Sequence, residues 1–153
     1  MMRLFGLQMG LDLNTQVVQE QVCSHNIKQV VPLGHYATVF QAEVYAIRIC
    51  VSYLCDEVNT SIAICSDSQA ALKALATAKT TSQLVLETMK ALTELSIHNC
   101  VSVGLWVPGH SDIVGNEEAD KLAKQAAAAE YIGPEPALGF STIAVRSKVR
   151  QWT

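Results

Sequence analysis

The chain has 153 residues, half of them apolar and 16% charged, with eleven basic against fourteen acidic side chains and a net charge of -3. That length suits one domain with its own core, and the composition excludes a disordered tail, a coiled coil and a protein that grips polyanions by bulk charge. No run approaches the roughly 18 apolar residues of a membrane span. The opening Met1-Met2-Arg3-Leu4 lacks the apolar core of a signal peptide, so the expectation is an intracellular protein, nuclear or cytoplasmic, neither secreted nor membrane-bound. Cys23, Cys50, Cys55, Cys65 and Cys100 are odd in number and never form a C-x-x-C pair, which signals reduced core residues and neither a disulfide framework nor a zinc site.

In chain order, residues 3–11, 15–22 and 27–33 carry β-branched and apolar side chains broken by Asn14 and Ser24-His25-Asn26, the pattern of an antiparallel meander. The period then changes. Phe40, Val44, Ile47, Val51, Leu54 and Val58 recur at four and three, and Thr38 with Gln41 supplies a capping box, predicting a helix over about 38–57. Residues 61–65 read as a short buried strand. A helix entered at Ser66, with Gln69 completing a second capping box, covers 67–76. Another helix spans about 82–97, a strand 99–107, and Pro108-Gly109 ends it. The helix from Asn116 onward has acidic residues in its first turn. This order predicts an α/β layer fold with a mixed sheet over residues 1–130. Beyond it, Gly133-Pro134-Glu135-Pro136 opens a linker or docking tail, 131–153, carrying Arg146, Lys148 and Arg150 without a clear period.

Three carboxylates stand where a core would not choose them. Glu43 lies beside the apolar stripe of its helix, Asp67 directly after the strand 61–65 at its carboxyl end, and Asp120 in the first turns of the last long helix. Each has an ordinary structural reading: a stripe-edge glutamate with its head in water, a helix N-cap, and a partner for Lys124 one turn on. Taken together, and with His110 on a loop ten residues before Asp120, they form the constellation of a metal-dependent phosphodiester nuclease. Carboxylate oxygens suit Mg2+ or Mn2+, and two such ions about 4 Å apart would activate the attacking water and steady the leaving oxygen.

The local words carry a family resemblance. Thr38-Val39-Phe40-Gln41-Ala42-Glu43, Cys65-Ser66-Asp67-Ser68-Gln69-Ala70-Ala71-Leu72, and Trp106-Val107-Pro108-Gly109-His110 through Gly115-Asn116-Glu117-Glu118-Ala119-Asp120 resemble the type 1 ribonuclease H domain. In particular they resemble the domain that follows reverse transcriptase in arthropod non-LTR retrotransposons, over about residues 27–129. The resemblance implies the three-layer ribonuclease H-like fold, a mixed central sheet flanked by helices. It implies Glu43, Asp67 and Asp120 as metal ligands and His110 as a catalytic loop histidine that helps water or product leave. Ser68, Gln69 and Asn116 match substrate-contacting positions, though each also serves as a helix-start residue. Two Mg2+ or Mn2+ ions, an RNA/DNA hybrid substrate and a reverse transcriptase domain of a larger polyprotein are the implied cofactors and partners.

Two departures follow. The family's first strand bears a T-D-G-S type motif whose aspartate bridges both metals, and nothing in residues 1–11 resembles it. The first strand is therefore missing, as in a truncated or decayed copy, or replaced by residues 3–12, with Asp12 as the substitute carboxylate. A missing strand would leave its neighbours' backbone groups unpaired. The basic protrusion of some relatives is absent too, so hybrid affinity would rest on local contacts, on Arg146, Lys148 and Arg150, or on neighbouring domains. The sequence thus supports a hybrid endonuclease that cleaves the RNA strand, and beside it a catalytically inactive RNase H-like nucleic-acid-binding remnant.

Overall fold

The computed structural model describes residues 2–7, 10–12, 15–22, 27–33, 37–66, 68–106 and 138–152. Strands Met2–Leu7 (β1) and Gly10–Asp12 (β2) both pair antiparallel with Thr15–Val22 (β3), Leu7 opposite Glu20 and Gly10 opposite Val17. The register is the same on both segments, so β1 and β2 act as one arm of a long hairpin whose far end is the pair Asp12 and Thr15. The other edge of β3 takes Ile27–Pro32 (β4), again antiparallel. The meander expected from the sequence is therefore present.

On its second edge β1 pairs parallel with Ser61–Ser66 (β5), and β5 pairs parallel with Cys100–Trp106 (β6). Across the sheet the strands run β4, β3, β1, β5, β6, with β2 alongside β3 beyond β1. Of the two readings of the first strand, replacement is the one the fold adopts. Met2–Leu7 fills the central place and pairs with β3 and β5 on either side, so the expectation of unpaired neighbours is corrected.

Helix α1, Val39–Tyr53, begins where the sequence placed it. Thr38 Oγ1 accepts from Gln41 N, and Gln41 Oε1 accepts from Thr38 N in return. Its stripe of Val44, Ile47 and Val51 is buried, as is Leu54 at the C-cap, but Val58 is 60% exposed because the helix stops at Tyr53 instead of running to 57. Helices α2, Gln69–Ala76, and α3, Gln83–His98, pack with α1. Leu84, Val85, Leu95 and Ala71 join the α1 stripe in one core. Ile62 and Ile64 of β5 face that core, with Val101 and Val103 of β6 packed beside them.

Alternation sends Ala63 and Cys65 to the opposite face, and they too are buried, at 0% and 3% exposure. A strand covered on both faces belongs to the middle of a three-layer arrangement. The helix expected from Asn116, and the whole of 107–137, lie outside the described residues. The expected tail contains an element that the sequence reading missed, helix α4, Thr142–Trp152.

Candidate active site

A short connection, 54–60, carries the chain from the end of α1 to the start of β5. At about 1.5 Å per helical residue and about 3.3 Å per strand residue, α1 and β5 have nearly the same length, about 20 Å. On the sheet, α1 packs chiefly against β3 and also touches β1. Glu43 is in the second turn, half-buried, between the fully buried Ala42 and Val44. A half-buried carboxylate with interactions of its own is not a purely solvent-facing glutamate.

Asp67 lies outside the described residues, but both its neighbours are fixed. Ser66 ends β5, buried at 1% exposure, and its Oγ accepts from Ser68 N at 3.1 Å. Ser68 caps α2, its Oγ accepting from Ala71 N at 3.3 Å. The expected capping box of Ser66 with Gln69 is corrected: Ser66 completes the strand, and the cap falls at Ser68. The correction matters for Asp67, because the N-cap role that would have explained it structurally is already filled. Ser68 itself has its helix-start task, while its hydroxyl keeps a proton to donate. Gln69 opens α2 and is exposed at the same end of the sheet.

His110, Asn116 and Asp120 lie outside the described residues, and so does their approach to Glu43. With one expected metal ligand described, no group of three metal-ligating side chains occurs among the described residues. The strand that leads to His110 is described, and it contains a bulge. Ile64 pairs with Val103 and Cys65 with Leu105, so Gly104 is the extra residue, at φ 134°. The bulge brings Trp106 level with Ser66, at the level where β5 gives way to Asp67.

Asp12 stands away from the level at which β1 and β5 end. Carboxylates that share metal ions must bring their oxygens to one place, and where β1 and β5 end it is Leu7 that is level with Ser66. The residue that follows Leu7, as Asp67 follows Ser66, is Gln8. Asp12 is five residues past Leu7, about 16 Å further along the hairpin arm at ~3.3 Å per residue, and it pairs with Thr15 at the far end. No local motif marks Gln8; only the β1 and β5 register shows that it follows the residue level with Ser66.

A mixed sheet with parallel strands at its centre and helices packed with it in one core define an α/β domain. The family model for RNase H matches residues 14–128, more than half of the chain, and the chain belongs to the RNase H family. Glu43, Asp67, His110, Asn116 and Asp120 all fall within the matched span, whereas the β1 and β2 arm precedes it. RNase H domains bind RNA/DNA hybrids, and the family generally uses Mg2+. No curated protein matches the chain. No helix among the described residues is long and apolar enough to cross a membrane.

Proposed function

We propose that this chain is a hybrid-specific ribonuclease H, of retrotransposon origin and intracellular, that cleaves the RNA strand slowly with Glu43, Asp67 and Asp120 as its metal ligands. The domain would end near 130. The observation that carries the reading is at the end of β5: Ser66 completes the strand and Ser68 caps α2, so the N-cap role beside Asp67 is already filled, while Glu43 stands half-buried near the start of α1. All-oxygen donors fit Mg2+ or Mn2+. Two bound ions would supply charge for the attacking and departing oxygens.

The chain's own residues orient the substrate. Ser68 and Gln69, at the exposed start of α2, and Asn116 would hold the hybrid backbone, while 2'-hydroxyl contacts across the wide, shallow groove distinguish RNA from DNA. His110 would assist the departure of product from the loop after β6. Gln8 follows β1 where a further carboxylate would share charge with Asp67, and a neutral amide there leaves the site short of one negative group. That shortage favours slow cleavage, and it supports the second reading, a remnant that binds hybrids without cutting them.

A labelled RNA/DNA hybrid incubated with the chain and Mg2+ or Mn2+ separates the two. Metal-dependent cleavage lost in Asp67→Asn supports the enzyme. Tight hybrid binding without cleavage at any metal concentration supports the remnant. A reverse transcriptase domain ahead of this one would be its neighbour in a longer polyprotein.

A further inference from the structure

Helix α4, Thr142–Trp152, has the sequence TIAVRSKVRQW, with three cations and no acidic residue. The chain is otherwise acidic, keeping eight basic against fourteen acidic residues outside this helix. Val145, Val149 and Trp152 are spaced four and three apart, so they form one stripe, and they are 48%, 60% and 93% exposed. Arg146 and Arg150, four apart, run along one side of that stripe, and Lys148 lies on the other. The helix thus presents an apolar ridge, with an aromatic at its end, between two arginines on one side and one lysine on the other.

Its starting point is fixed. Gln41, buried in α1 and two residues before Glu43, donates from Nε2 to the carbonyls of Leu138 and Gly139, at 3.2 and 3.0 Å. Leu138 packs on the core. Gly139, at φ 74°, turns the chain away, three residues before α4 begins. The basic helix is therefore tethered at the same end of α1 that carries Glu43.

We propose that α4 is a duplex-binding handle that grips the phosphate backbone of a nucleic-acid duplex beside the candidate active site. The proposal deepens the ribonuclease reading, on which it rests for its hybrid. Charge complementarity selects a polyanion. The two-sided arrangement selects a groove, with Arg146 and Arg150 toward one phosphate row and Lys148 toward the other, and Val145 and Val149 against the sugars between them. Trp152, at the exposed end, supplies a stacking or wedging surface.

The test measures binding of the full chain to a fluorescent RNA/DNA hybrid in EDTA, where cleavage cannot intervene, over a range of salt. Arg146→Gln/Lys148→Gln/Arg150→Gln should weaken binding by about tenfold or more and lower the log-log salt slope by roughly 2–3, as loss of that many phosphate contacts requires. Lys90→Gln, an exposed cation on α3, serves as the control and should change neither by more than a single charge would. Tryptophan emission should be quenched by the hybrid in the parent chain, and less so in Trp152→Phe. An unchanged affinity and slope in the triple variant overturns the proposal. So does a concentration-dependent dimer in sedimentation that Val145→Ser/Val149→Ser dissociates, because a second copy would then cover the stripe. Binding to phosphatidylserine vesicles that α4 governs, with hybrid affinity untouched, overturns it in favour of a membrane surface. Binding that depends on α4 without any cleavage sinks the catalytic reading alone, and cleavage indifferent to the triple variant sinks only the handle.

Discussion

Asn99 shows how one half-buried side chain can hold a connection. Its Oδ1 accepts from Thr60 N at 3.0 Å, and its Nδ2 donates to the carbonyls of Glu57 and Leu95 at 2.7 and 3.1 Å. It ties the end of α3 to the loop that enters β5, beside Asn59, whose φ of 54° turns that loop. Asn99→Leu leaves these backbone groups without their partner and should cost about 1–3 kcal/mol, read as a fall in the urea midpoint at unchanged slope. The functional residue with the sharpest expectation is Gln8. If the level of the strand ends governs the site, Gln8→Asp should raise Mn2+-dependent hybrid cleavage by about tenfold or more, whereas Asp12→Asn should leave it unaltered. An increase absent in Gln8→Asp, or a loss in Asp12→Asn, would show that the hairpin register does not set the metal site.

At the scale of elements, the bulge in β6 is the device that the sequence hides best. Asn99 to Val107 reads as a plain strand, and Gly104 within it looks like a weakness. In the fold, Gly104 takes φ 134° and shifts β6 by one residue against β5. Space is not the constraint, because a Cβ there would meet nothing within 4 Å. The backbone conformation is. Gly104→Val should cost about 1–3 kcal/mol through strain at that φ, or else remove the bulge and move the Pro108-Gly109-His110 loop out of step with Asp67. A thermal melt and a cleavage assay on the same preparation register the two effects separately. The capping residues of α1 were readable from Thr38 and Gln41 alone. Those of α2 were not, because Ser66 and Ser68 both satisfy the local rule and only the pairing of β5 with β1 decides which is free to cap.

For the molecule as a whole, the proposed site would gather Glu43, Asp67 and Asp120 from distant stretches of chain. Carboxylates gathered there should repel one another, and a divalent ion that binds the native state alone should stabilise it by mass action. Mg2+ at millimolar concentration should therefore raise the thermal midpoint of the parent chain and not that of Asp67→Asn. An equal rise in both, or none in either, would mean that Asp67 does not take part in metal binding. The Arg48 to Glu87 ion pair between α1 and α3, 2.6 Å long but solvent-exposed, adds little to this stability beside the buried apolar contacts around Ile47, Ile62 and Ile64.

The sequence by itself determined the period-two and period-3.6 segments, the cap of α1 and the family, because hydrophobic spacing and short motifs are local properties. It placed Glu43, Asp67 and Asp120 as candidate ligands through those same words. Only the tertiary structure decided that Met2–Leu7 is the central strand, that Asp12 belongs to the far end of a hairpin, and that α4 is tethered to Gln41. Each of these depends on pairing between segments far apart in the chain. An unremarkable run such as Met2–Leu7 reveals its place only when β5 pairs along its whole length and β3 takes Gly6 and Leu7 on the other edge.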